Sequence, residues 1–108
     1  MIRCIALTLL LISATGCSKT TRFEVKNETE QALESVAISK SGNPKIIGPL
    51  EPGEAQVVEF QAIFENRYRL TYEQGGKRLW KDLCYQAWGY KADGTIAIRP
   101  EGVLLTCR

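Results

Sequence analysis

RYRLTYEQGGKRLWKDL, Arg67 to Leu83, decides the fold class. Tyr68, Leu70 and Tyr72 fall on one side of an extended chain, and Arg67, Arg69, Thr71 and Glu73 on the other. That is the period-2 pattern of a strand with one face buried and one face wet. Gly75-Gly76 then supplies two residues that accept positive φ, as a two-residue hairpin turn requires. The turn sets the register: Gln74 opposite Lys77, Glu73 opposite Arg78, Tyr72 opposite Leu79. Glu73 and Arg78 become a cross-strand ion pair worth a few tenths of a kcal/mol if exposed.

The same alternation recurs on both sides of this hairpin. In RFEVKN (Arg22–Asn27), Phe23 and Val25 alternate with charged residues, and in ESVAISK (Glu34–Lys40), Val36 and Ile38 share a face. SGNP at Ser41–Pro44 breaks the pattern, and a short KII follows. GPLEPGE holds two prolines and two glycines, which exclude helix and leave Leu50 as the residue to plug the core. In AQVVEFQ, Val58 and Phe60 point inward. Asp93-Gly94 and Pro100-Glu101-Gly102 read as turns around Ile96 and Ile98. Val103–Leu105 reads as a strand buried on both faces or switching face. No 3.6-residue apolar period persists for 11 residues in this part of the chain. Short strands at 8–12-residue spacing predict an all-β sandwich or barrel of about seven or eight strands.

The first residues follow a different logic. Arg3 is a positive start, Ile5–Ile12 is an apolar run, and Ser13, Ala14, Thr15 and Gly16 are small. This is the order of an export signal. The run is far shorter than the ~20 apolar residues that span a bilayer. Ala14-Thr15-Gly16-Cys17 resembles the lipobox of bacterial lipoproteins, with Ala14 where that family usually has Leu. The resemblance implies a signal peptide at 1–16, removed on export, and acyl chains on Cys17 that anchor the protein to a membrane. Two or more such chains hold a protein stably. Ser18 after the cysteine implies the outer membrane, periplasmic face, since Asp at that place marks inner-membrane retention in the family. Residues 17–22 are then a lipidated cysteine and a short tether reaching ~17 Å from Ser18 to Arg22. Residues 23–108 are the β-domain.

Granted that resemblance, Cys4 leaves with the signal and Cys17 carries lipid. Cys84 and Cys107 remain in an oxidising compartment, where they are expected to form a disulfide. The loop of about 24 residues predicts roughly 3 kcal/mol of stabilisation in the chain-entropy account. A metal site is the poorer reading, because two thiolates without histidine make an incomplete site. A redox pair would call for Cys-x-x-Cys spacing. A second resemblance concerns the fold: IIGPLEPGEAQVVEF (Ile46–Phe60) is similar to a segment of small immunoglobulin-like domains of exported bacterial proteins. It implies an antiparallel, Ig-like sandwich rather than a barrel.

Function is less legible. Losing Arg3 from the fourteen Lys and Arg leaves thirteen against twelve Asp and Glu. Such a near-neutral domain is no nucleic-acid binder by charge. The chain has no histidine, so the usual serine and cysteine triads have no base. No phosphate-loop, dinucleotide or nucleophile-elbow motif occurs, no cofactor is implied, and the carboxylates are scattered. Asn27-Glu28-Thr29 matches a glycosylation sequon, which in a bacterial lipoprotein is accidental. All six Tyr and Trp residues lie between Tyr68 and Tyr90, interleaved with basic residues. Tyr68 and Tyr72 read as core, and Trp80 as covering an edge. CYQAWGY places Tyr85, Trp88 and Tyr90 beside the disulfide, as a candidate binding surface. The expected function is a non-catalytic module that binds or scaffolds an envelope protein or glycan. The alternatives are a periplasmic inhibitor of a hydrolase such as lysozyme, a class similar in size and all-β, and a glycan- or peptidoglycan-binding protein.

Overall fold

The computed structural model describes residues 20–61, 66–85 and 93–107. These form eight strands: β1 (Thr20–Asn27), β2 (Leu33–Lys40), β3 (Asn43–Leu50), β4 (Ala55–Gln61), β5 (Tyr68–Gln74), β6 (Lys77–Asp82), β7 (Gly94–Arg99) and β8 (Gly102–Cys107). They make two four-stranded sheets, ordered β4-β1-β7-β8 and β3-β2-β5-β6. Two open sheets make a sandwich, not a barrel. Every pairing is antiparallel except β1 with β7, which run parallel.

The hairpin adopts the predicted register, with Gln74 opposite Lys77, Glu73 opposite Arg78 and Tyr72 opposite Leu79. Gly75 and Gly76 both have positive φ. Phe23, Leu50, Val58, Phe60, Tyr68, Leu70 and Tyr72 are buried as read from the pattern. The ring of Tyr68 stands 5.0 Å from Phe23 and 5.3 Å from Phe60 between centroids. Phe23 and Phe60 belong to one sheet and Tyr68 to the other, so this aromatic triad closes the sandwich. Edge-to-face pairs of this kind add to the burial energy of the rings themselves.

Four expectations need correction. Residues 20–22 are strand, not tether: Thr20, Thr21 and Arg22 pair with Gln61, Phe60 and Glu59, and Thr21 is fully buried. The short KII segment is part of an eight-residue β3 that contains Pro44 and Pro49. Prolines fit there because β3 is an edge strand, where a missing N–H need not break a ladder. β8 is an ordinary alternating edge strand, with Val103 and Leu105 partly buried and Leu104 49% exposed. Gly94 opens β7 rather than sitting in a turn.

Leu33 also joins the core, although it lies three residues before Val36 and strict alternation would put it outside. Ser35, at φ 50°, forms a bulge where the register slips against both neighbours of β2. One extra residue returns Leu33 to the inner face.

Asn27 is fully buried at the end of β1. Its side-chain N–H groups donate to the carbonyls of Gln31 (3.0 Å) and Leu50 (2.9 Å). Its Oδ1 accepts from the backbone N–H of Thr29 (2.9 Å) and the Thr29 hydroxyl (2.7 Å). Its backbone N–H and carbonyl bond Glu54 and Gly53 of the EPGE turn. Gln74 beside the hairpin turn donates to the Thr29 hydroxyl at 2.9 Å. One amide thus ties together the β1–β2 connection, the end of β3, the β3–β4 turn and, through Thr29, the hairpin. The sequon is a structural turn, with its amide consumed inside the fold.

Replacing Asn27 by Ala takes the amide from the buried Leu50 carbonyl and the buried Thr29 N–H, each costing about 1–3 kcal/mol, while the Gln31 carbonyl keeps the Thr29 hydroxyl as a donor. The expected loss is about 3–5 kcal/mol in a denaturant melt of the purified protein. A loss below ~1 kcal/mol would show that water replaces the amide freely.

Candidate functional site

The strands define two ends. Asn27, Leu33, Leu50, Ala55 and the hairpin turn lie at one. At the other, β1 begins opposite the last residue of β4, β2 ends opposite the first residue of β5, and β7 begins opposite the last residue of β8. Lys40 Nζ bridges the two sheets there, donating to the Gln61 carbonyl at 3.4 Å. This second end carries the disulfide and a groove of about 430 Å³.

Cys84 and Cys107 are bridged, with Cα atoms 5.8 Å apart. Cys84 follows β6 in one sheet and Cys107 ends β8 in the other, so the bond staples the sheets together. Gly94 serves this junction: a Cβ there would meet Cys84 Sγ at 3.0 Å and the Thr106 carbonyl at 3.1 Å. The residue read as a turn glycine is needed because the disulfide passes so close.

Three separated segments wall the groove: Ser39 with Ser41 and Gly42, Tyr68 with its two flanking arginines, and Asp82 with Leu83 and Tyr85. The Arg67 strand entry is held to the Ser41 turn by a 2.8 Å bond from the Ser41 N–H to the Arg67 carbonyl. Tyr85 is 54% exposed, with the Arg67 guanidinium 5.9 Å from its ring centre. Arg69 lies 4.0 Å over the ring of Trp80 and bonds Asp82 at 2.8 Å. Asp82 is the sole carboxylate among the described lining residues, and Arg69 neutralises it. Tyr68 forms the floor. Burial pushes its hydroxyl above the usual range, partly offset by hydrogen bonds with the side chains of Thr21 and Asn66. The surface therefore offers an aromatic face, hydroxyls and guanidinium groups.

Of the residues singled out in the sequence, Cys84 and Cys107 form the staple and Tyr85 stands on the groove. Cys17, Trp88 and Tyr90 lie outside the described residues. Ser39, Ser41 and Asp82 were not foreseen; nothing local marks them, since only the pairing of β2 with β5 and of β5 with β6 brings them to Arg67. Trp80 is 58% exposed on an edge strand, as read. A second open groove follows the seam between β3 and β4, where Lys45 is already engaged with the Glu59 carbonyl at 2.9 Å.

No family model matches the chain, and no curated protein matches it. Among solved structures, the NMR structure of a protein from Eubacterium rectale is similar, with a TM-score of 0.55 and 12% identity over 82% of this chain and 87% of that one. At that identity the likeness speaks for the fold alone.

Reduction of the disulfide, or the paired Cys84→Ala and Cys107→Ala change, is expected to cost about 3 kcal/mol. For a domain this size that lowers Tm by roughly 12–24 °C. Tyr85→Ala is expected to stay within ~1 kcal/mol, because the ring is half exposed. A collapse on losing Tyr85 alone would make it a packing residue.

Proposed function

We propose that this protein is a lipid-anchored lipoprotein of the bacterial envelope, held by acyl chains on Cys17. On this reading it acts without catalysis, as a binding module whose recognition surface is the groove beside Tyr85. One observation carries the reading. β1 begins at Thr20, only three residues after Cys17, and it begins at the end of the sandwich that carries the groove. An anchor there would hold this end at the outer membrane's periplasmic face, leaving the Asn27 end to point away. The groove's chemistry also suits binding better than reaction. Its arginines and hydroxyls can hold a ligand, while its one described carboxylate is tied up with Arg69 and has no partner base beside it.

Radiolabelled palmitate is expected to label the wild-type protein in cells and to miss Cys17→Ser, which leaves the membrane fraction or stays unprocessed. An unlabelled wild type would remove the anchor from this account. Capture of envelope partners by the anchored protein is expected to fail for Tyr85→Ala with unchanged melting. Full capture by that variant would move the recognition surface elsewhere.

A further inference from the structure

Four of the five described arginines have a carboxylate partner: Arg22 with Glu59 at 3.1 Å, Arg69 with Asp82 at 2.8 Å, Arg78 with Glu73 at 3.0 Å and Arg99 with Glu28 at 2.7 Å. Arg67 alone among them has no carboxylate partner among the described residues. It is exposed, its backbone is pinned to Ser41, and its guanidinium lies against the Tyr85 ring. A guanidinium held in place with no described carboxylate against it is suited to an anion, which it can grip through two parallel N–H donors. Asp82, the one acid among the described residues lining the groove, is already engaged by Arg69.

The position of the groove decides which anion. From Cys17 to Thr20 the chain covers at most about 11 Å. A bilayer's headgroup layer is itself roughly 5–8 Å thick on each side. The groove end is therefore held within reach of the headgroups, at that layer or just outside it. Tyrosine rings settle at that depth, apolar body inward and hydroxyl in the polar layer. Basic side chains there are attracted to anionic lipids, each modestly. Lys40, opposite Tyr68 in the register, is a second cation at this end, and Tyr85 is the aromatic support of Arg67. A soluble domain with so few charges would bind vesicles weakly. An anchor changes this, because it turns the contact into an intramolecular one at high effective concentration.

The geometry points to Arg67 and Tyr85 as a clamp for the phosphate of an anionic lipid headgroup. It fixes the orientation of the domain on the membrane to which Cys17 ties it. The inference rests on the anchored reading above.

The test uses the protein purified with its anchor, incorporated into phosphatidylcholine nanodiscs with or without phosphatidylglycerol. A gadolinium chelate on a trace lipid reports proximity through amide relaxation. Relaxation at Ser39, Ser41, Arg67 and Tyr85 is expected to rise when phosphatidylglycerol is added. Arg67→Gln is expected to cut that lipid-dependent part about fivefold, and Arg67→Lys to keep some of it. Equal relaxation with and without phosphatidylglycerol, unchanged in Arg67→Gln, would overturn the clamp while leaving the anchor intact. Inorganic phosphate, or a disaccharide of N-acetylglucosamine and N-acetylmuramic acid, shifting the same amides as strongly without bilayer would also overturn it, in favour of a soluble anion or a wall sugar. Protein that carries no acyl mass on Cys17 and stays out of the discs would sink the anchored reading and the clamp with it.

Discussion

A single buried amide, that of Asn27, governs how one end of this sandwich closes. Two open sheets of four strands leave turns and strand ends whose carbonyls and N–H groups must be satisfied without water. Asn27 answers three of those needs with its side chain, which also holds the Thr29 hydroxyl, and two more with its backbone. It does so between elements that no strand pairing joins directly: β1 of one sheet, the end of β3 in the other, and the EPGE turn between them. A satisfied polar network specifies one arrangement where an apolar contact would tolerate several. The hairpin, hung from the same cluster through Gln74 and Thr29, inherits that arrangement.

The opposite end is closed by covalent means. The Cys84–Cys107 bond crosses from one sheet to the other where β6 and β8 finish. Both are edge strands, and every residue of β6 is exposed. These are the parts of the fold with least burial to hold them, so the disulfide acts where packing is weakest. The groove is built on that stapled end, with Tyr85 next to Cys84. One end of the molecule is thus rigid through a hydrogen-bonded core residue. The other is rigid through a cross-link beside which Tyr85 faces outward.

Much of the fold was legible because its rules are local. Gly75-Gly76 dictates the hairpin register, and alternation alone places Phe23, Val58, Phe60, Tyr68, Leu70 and Tyr72 inside. Local rules fail where an event shifts phase or depends on distant partners. The bulge at Ser35 breaks the period of two, so Leu33 was not recognised as core. Asn27-Glu28-Thr29 has the same letters as a sequon, and its role depends on the Leu50 carbonyl 23 positions away. The disulfide followed from the compartment that the lipobox implies. The groove could not be read, because its walls come from residues near 40, 68 and 84 and meet only through strand order. Tyr85 was found by composition, as an aromatic beside a cysteine.

The central proposal is one of orientation: anchored at Cys17, the end with the disulfide and groove would face the membrane, and the Asn27 end would face away. β1 spans eight residues, or about 26 Å at strand rise, so the two ends are easily told apart. The direct measurement is energy transfer between headgroup-labelled lipid and a dye on the anchored protein. The dye is placed at Asn43→Cys beside the groove end, or at Glu101→Cys at the Asn27 end. The account predicts strong transfer from position 43 and weak transfer from position 101, a separation of roughly 20 Å or more in distance to the surface. Equal transfer from both positions, or stronger transfer from 101, would contradict it.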